Sequence, residues 1–288
     1  MKLVGFVVVI VCVFAGYMLA GGKMAPILHA LPFEGLTIIG AAVGAFIVAN
    51  SGHTIKATIK GMNCMIKPEA HNKEDYIELM SVLYMVFKLA RTKGWLALES
   101  HIENPEESEL FKQFPGFHGN HHAIIFLCDY LRIISMGNEN AHEIEALMDE
   151  EIETLEHEKM HPSHAIQTMA DGIPALGIVA AVLGIIKTMG SITEPPEVLG
   201  KMIGGALVGT FLGVFLAYGF VGPIASALGT KGESEVLYYR CIKVSILSFL
   251  NGSAPQIAVE FSRKFLPHHV QPTFLELEEK LNELPSPG

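Results

Sequence analysis

Two Glu-x-x-His pairs, Glu139 with His142 and Glu158 with His161, carry the chain's most metal-like spacing. On a helix that spacing puts a carboxylate and an imidazole on one face, as di-iron bundles require. Pro162 and Ser163 follow the second pair and predict a helix end there. No further inward carboxylates accompany the pairs, and His118, His121 and His122 sit beside Gly116 and Gly119 in a predicted loop. A solvated acidic face is the plainer reading, so no metal and no cofactor are expected. Nucleophile elbow, phosphate loop and zincin motifs do not occur; the chain is not expected to be an enzyme. A different chemistry lies inside the apolar stretches. Pro174 and Pro223 each remove a backbone donor there, which frees a carbonyl and allows a kink. Thr210 is the hydroxyl in the middle of stretch 202–230, and is expected to bond the carbonyl one turn back.

These residues need elements to hold them, and the elements are greasy. Residues 202–230 contain no charged side chain and carry seven glycines and one proline. About 20 apolar residues cover the hydrocarbon core of a bilayer, so this stretch spans with some tilt. Gly205, Gly209 and Gly213 fall four apart, with Ala217 continuing the row, and predict a helix face that another backbone can approach closely. Four spans are expected: Leu3–Ala20, Phe33–Ser51, Gly172–Ile186 and Met202–Leu228. The first could also be read as a signal peptide with Lys2 before it, a reading weakened by the other spans. Gly40 and Gly44 form a GxxxG in the second span, and Gly177 with Ala181 repeats the spacing in the third. Packing within one subunit and packing between subunits both fit this pattern.

Over 288 residues the chain is 50% hydrophobic with a net charge of −10, and its mean hydropathy is +0.38. That balance suits several spans plus a water-facing part, and the acidity argues against a nucleic-acid partner. Cys12, Cys64, Cys128 and Cys241 form no CxxC pair and read as reduced, buried small hydrophobes. Lys56, Lys60, Lys67 and Lys73 follow the second span, and Lys231, Arg240 and Lys243 follow the fourth. The positive-inside rule then puts both termini in the cytoplasm. The expected organisation is a membrane hairpin (1–51), a helical cytoplasmic domain (52–170), a second hairpin (171–230) and a cytoplasmic tail (231–288). The fold class is all-α: a polytopic membrane protein with four transmembrane helices in the lipid bilayer.

In the cytoplasmic part, Glu74–Lys93 reads as an amphipathic helix stopped by Gly94, with Arg91 and Lys93 opposing its negative end. Asn104-Pro105-Glu106-Glu107 predicts a helix start, with an Asn cap and a proline at the first position. Further helices are expected over about His122–Ser135, Glu139–Glu158, Leu237–Leu250, Gln256–Phe265 and Pro272–Leu284. The middle of every expected span lacks an ionisable group, and Glu34 and Asp171 fall at span ends. Ion passage through a membrane usually marks itself by such a group. Either the chain moves no ion, or a second chain supplies the carboxylate. The two prolines favour the second alternative.

The run Asp171-Gly172-Ile173-Pro174-Ala175-Leu176-Gly177-Ile178-Val179-Ala180-Ala181-Val182 resembles the third span of the MotA family, the A subunit of the bacterial flagellar stator. Val208–Gly213, Ala217-Tyr218-Gly219-Phe220 and Gly222-Pro223-Ile224-Ala225 resemble its fourth. Ala146–Glu153 and Asn251–Phe261 are similar to two of its cytoplasmic signatures, so the resemblance covers nearly the whole chain. It implies a proton-driven torque generator in the bacterial inner membrane. In that family five A subunits form a ring around two copies of a MotB-like B subunit, whose membrane Asp carries the proton. The ring's cytoplasmic part pushes on the rotor protein FliG. The resemblance places Pro174, Ala181, Thr210, Tyr218 and Pro223 on the ion path, and makes Arg91 and Glu99 the rotor contacts. Sodium-driven relatives have a threonine where Ala181 stands, which offers oxygen to a hard cation; Ala181 offers none, so protons are expected to drive the motor. The rival family resemblance is to the ExbB/TolQ proton channel subunits that energise outer-membrane processes. Those are expected to have three spans and no counterpart of Asn251–Pro255.

Overall fold

The structure is a computed structural model that describes residues 2–64, the Cys64 side chain excepted, and residues 71–285. Lys67 and the terminal residues 286–288, read above, lie outside the described residues. Twelve helices follow in order among the described residues: α1 (Lys2–Leu19), α2 (Met24–Ala49), α3 (Gly52–Cys64), α4 (Lys73–Lys93), α5 (Glu99–Glu103), α6 (Pro115–His118), α7 (His121–Ser135), α8 (Ala141–Met189), α9 (Pro196–Leu216), α10 (Gly222–Leu250), α11 (Pro255–Phe265) and α12 (Phe274–Glu283). One π turn, Ala217–Val221, joins α9 to α10. No strand occurs among the described residues, and the fold is all-α. Four helical stretches are long and apolar enough to cross a membrane: Lys2–Leu19, Met24–Ala49, Ala141–Met189 and Pro196–Leu250.

The chain divides into two compact units: Met1–Pro68 with Met160–Thr230, and Glu69–Lys159 with Lys231–Gly288. The division does not fall where the sequence pattern put it. Among the described residues, 52–64 and 160–170 belong to the apolar unit, and 231–285 groups with 71–159 instead of forming a separate tail. The cause is helix continuity. The acidic helix and the third span are one helix, α8, which runs through Pro162 and Pro174. Pro162 does not end the helix as expected. Ser163 beside it donates its hydroxyl to the Ala225 carbonyl at 2.7 Å, which ties α8 to α10 at that level.

In the apolar unit α2 packs on α9 through Ile38, Ala42 and Leu212. α2 starts at Met24, nine residues before the expected Phe33, and carries Pro32 inside it. α1 buries no residue. It touches the rest of the unit through Phe6, stacked on Phe220 at 5.4 Å, and Phe14, edge-on to Phe215 at 5.6 Å. Cys12 on α1 is exposed rather than buried, because that helix leaves its surface to its surroundings.

The second unit is built around α4. A capping box starts it: the Asn72 side chain accepts from the Asp75 amide, and Asp75 accepts from the Asn72 amide. Gly94 stops it with φ at 82°, a conformation that favours glycine. α4 is not amphipathic as expected but buried on most faces, with Leu79, Val82, Val86 and Phe87 all inside. Phe87 stacks on Phe249 of α10 at 4.6 Å. The segment at Asn104-Pro105 does not begin a helix. Asn104 is the C-cap of α5, and a turn closed by Glu107 N–H to the Asn104 carbonyl carries the chain to Leu110 and Phe111, which are buried. Burial of those two side chains outweighs the local start signal. The acidic face of α8 is not merely solvated either: Lys243 pairs with Asp149, Arg240 with Glu156 and Lys159 with Glu235, each at 2.5 Å.

Candidate ion-path site

Two helices in the apolar unit approach within backbone contact. A Cβ on Gly213 would lie 2.8 Å from the Gly177 Cα, and one on Gly177 would lie 2.9 Å from the Gly209 carbonyl oxygen. Further along, a Cβ on Gly184 would meet the Ala206 Cβ at 2.7 Å. α8 and α9 therefore form a seam with no room for a side chain at Gly177, Gly184 or Gly213. The seam runs along Ala206, Gly209 and Gly213 rather than along Gly205, which has nothing within 4 Å of its Cβ position. Gly44 is likewise open, and Gly40 meets only the Leu36 side chain at 4.0 Å. Within one chain, then, Gly209 and Gly213 stand at the close approach, and Gly205, Gly40 and Gly44 do not.

Ala181 is buried at this seam, its amide 3.0 Å from the Gly209 Cβ position. Pro174 is half-buried on α8, and its missing N–H removes the helical donor of the Ala170 carbonyl. Thr210 is half-buried on α9, and its hydroxyl makes no hydrogen bond among the described residues. That departs from the expected bond one turn back, which Thr37, Thr188 and Thr230 do make. Tyr218 lies in the π turn with 71% of its surface exposed, and Pro223 is exposed in the first turn of α10. The residues named from the sequence for the ion path thus fall on α8, on α9, in the π turn and in the first turn of α10.

One residue was missed. It is Glu34, near the start of the expected second span. It sits ten residues into α2, half-buried, with Oε2 3.0 Å from the Gly209 Cβ position. Pro26, His29 and Pro32 broke the apolar run before it and hid the true start of α2. The signal that would have found it is the unbroken absence of charge from Met24 to Phe33. Asp171, just before the expected third span, is exposed on α8, where Gln167 donates to it at 2.8 Å.

In the second unit Arg91 and Glu99 are both exposed, Arg91 in the last turn of α4 and Glu99 at the start of α5. The Arg91 guanidinium reaches the turn after α10, donating to the Ser253 carbonyl at 3.2 Å and the Gly252 carbonyl at 3.4 Å. Trp95 between them packs edge-on against Phe249 at 5.6 Å, which fixes the segment. His101, two residues past Glu99, is held below the usual imidazole range by burial, and its Nδ1 lies 2.8 Å from Ser108 Oγ. Of the Glu-x-x-His pairs, Glu139 lies outside α8, and His142 lies nearer Glu145, at 3.7 Å. Among the described residues no group of three or more His, Cys, Asp or Glu is arranged to hold a metal ion.

Comparison with known proteins gives this arrangement a family. A model of the motility protein A N-terminal region matches residues 3–94, and a model of the MotA/TolQ/ExbB proton channel family matches 122–240. Motility protein A of Salmonella typhimurium is 44% identical over 286 residues, covering 99% of this chain and 96% of the relative. Chemotaxis protein LafT of Vibrio parahaemolyticus is 36% identical over 282 residues, 98% of either chain. The flagellar MotAB stator complex from Bacillus subtilis aligns with a TM-score of 0.71 at 27% identity, over 92% of this chain and 95% of that one. A C. jejuni MotAB structure shares the fold, with a TM-score of 0.73 at 24% identity over the same shares. The chain belongs to the motility protein A family, flagellar stator subunits within the MotA/TolQ/ExbB proton channel family.

Proposed function

We propose that this chain is the A subunit of a proton-driven flagellar stator, and that the proton is carried by a membrane Asp of a MotB-like B subunit. The observation that carries the reading is the α8–α9 seam flanked by Pro174 and Pro223. The Thr210 hydroxyl and the freed carbonyls can hydrate and orient a proton carrier but cannot themselves be one, and the carboxyl that meets the seam, Glu34 at Gly209, is the rival to be tested. The chain works in a bacterial inner membrane with both termini inside, as a homo-oligomer, a pentamer by family resemblance, around the B pair. Its unburied α1 and the open faces at Gly40, Gly44 and Gly205 support contacts with lipid and with further copies. Ala181 gives a hard cation no oxygen, which supports protons over sodium.

Each proton crossing about 100 mV releases about 2.3 kcal/mol. Neutralising a membrane Asp removes its desolvation penalty and lets it leave a polar contact. That two-state change biases which A subunit the B helix prefers. Arg91 and Glu99 then press on the rotor protein FliG through exposed ion pairs, weak enough to be made and broken at every step. Against the ExbB/TolQ reading stand four helices long enough to span, and a helix, α11, that begins at Pro255 in the Asn251–Pro255 motif. The test is proton uptake by vesicles holding the A–B complex. Replacing the partner's membrane Asp by Asn should abolish uptake and leave assembly intact; uptake that persists refutes the split site. Motility should also survive in sodium-free medium at constant proton-motive force, and its loss there refutes the ion assignment.

A further inference from the structure

The join between α9 and α10 leaves one backbone group without its helical partner. Gly222 N–H, at the end of the π turn, bonds the Ala217 carbonyl five residues back. In an α-helix that N–H would serve the Tyr218 carbonyl. The donor one residue further on would be Pro223, which has no N–H. The Tyr218 carbonyl therefore loses both helical donors, and no turn or capping bond among the described residues replaces them. π turns in long helices recur at functional positions. This one is held from one side: Gly219 packs on Val9 of α1, the Gly219 Cβ position lying 3.2 Å from Val9 Cγ1, and Phe220 stacks on Phe6. On the other side Tyr218 and Pro223 are exposed.

A bare carbonyl at this depth persists only where it lines water or meets a donor from a neighbouring chain. A carbonyl accepts and never donates, so it recognises an O–H and repels a carboxylate. Asp171 is exposed and already accepts from Gln167 at 2.8 Å, and the carboxyl inside an expected span, Glu34, lies at the level of Gly209, about 13.5 Å along the helix axis from Tyr218 at 1.5 Å per residue. It is too far to serve. We infer that the Tyr218 carbonyl is an acceptor site for the protonated form of a membrane carboxyl carried by a second chain, a site that lets go when that carboxyl ionises. Thr210, whose hydroxyl can donate as well as accept, has no such preference. The inference rests on the split-site reading above and adds the atom on this chain that distinguishes the two protonation states.

Infrared spectroscopy of the complex in vesicles reads this atom directly. Tyrosine labelled at its carbonyl with carbon-13 and oxygen-18 moves those bands out of the main amide envelope. Subtracting a Tyr218→Phe complex, in which position 218 is unlabelled, isolates one band. A Pro223→Ala complex, which returns a donor to the helix, isolates the same band should the first variant fail to assemble. The 218 band is expected at lower wavenumber when the partner's acid is protonated and at higher wavenumber when it is ionised. It should stay high at all pH values when that acid is replaced by Ala. A band indifferent to the partner's acid means that water is the donor, and a band at the ordinary helical position throughout means that the carbonyl is paired; either overturns the inference. Proton uptake in the same vesicles keeps the two readings apart. If uptake is lost in the acid-to-Ala complex while the 218 band does not move, only this inference fails; uptake that survives there removes the split site itself.

Discussion

At Gly213 the space for a side chain is already filled by backbone, the Gly177 Cα lying 2.8 Å from any Cβ placed there. Backbone cannot swing aside as a side-chain tip can, so Gly213→Val should force α8 and α9 apart. Thermal unfolding followed by size-exclusion chromatography should show a lower midpoint for Gly213→Val and little change for Gly205→Val, whose Cβ meets nothing within 4 Å in the chain. Equal loss in both variants would contradict the seam. The spacing rule found Gly209 and Gly213 but chose Gly205 where the seam uses Ala206. Four residues turn an α-helix by 400°, so a strict every-fourth row drifts off a straight contact line and the seam must step back by three. A second residue-scale case is Glu276. Lys73 at 2.6 Å, with the Thr273 amide and hydroxyl, holds its carboxyl down at about 2, against an ordinary 4.5. A depressed folded value contributes stability above the unfolded value and loses it as pH falls. Glu276→Gln should therefore destabilise the chain at pH 7, and the gap from wild type should close between about pH 4.5 and 2; a gap independent of pH would contradict this.

At the scale of elements, hydropathy and glycine placement made the spans and most cytoplasmic helices legible, because they depend on local composition. Gly94 stops α4 at Lys93 as its conformational freedom predicts, and Asn120 caps α7 at the Ala123 amide. What local pattern misses is set by neighbours. Pro162 reads as a stop, yet α8 continues through it, tied to α10 there by the Ser163–Ala225 bond. Asn104-Pro105 reads as a start, yet burial of Phe111 makes it a turn. The π turn has no sequence signature, and the prolines hid the start of α2. α4 looked amphipathic because the sequence cannot reveal how many partners surround a helix. Its burial carries a prediction: Phe87 is 0% exposed against Phe249 and Trp95 is edge-on to the same ring. Phe87→Ala should cost about 3–5 kcal/mol. Denaturant unfolding of the full chain checks this, and a loss under about 1 kcal/mol would mean that the site is less tightly packed than described.

Across the whole molecule the chain alternates between its two units, so that α8 and α10 each contribute to both. The composition, half hydrophobic with a net charge of −10, predicted a mixed molecule but not that interleaving. Arg91 belongs to this scale because its proposed role is to meet another assembly. Its guanidinium already serves the Gly252 and Ser253 carbonyls. Arg91→Glu should abolish swimming while the protein still inserts and assembles with its partner; normal swimming would refute the rotor contact.

The central claim is that this subunit builds the path while another polypeptide brings the proton carrier. Glu34, set into α2 against Gly209, is the chain's own rival for that role. Proton uptake by vesicles holding the chain alone, measured beside vesicles holding it with its B subunit, decides between them. The account predicts uptake no faster than in empty vesicles for the chain alone, and restored uptake with the partner. Uptake by the chain alone at the rate of the complex, abolished by Glu34→Gln, would contradict it.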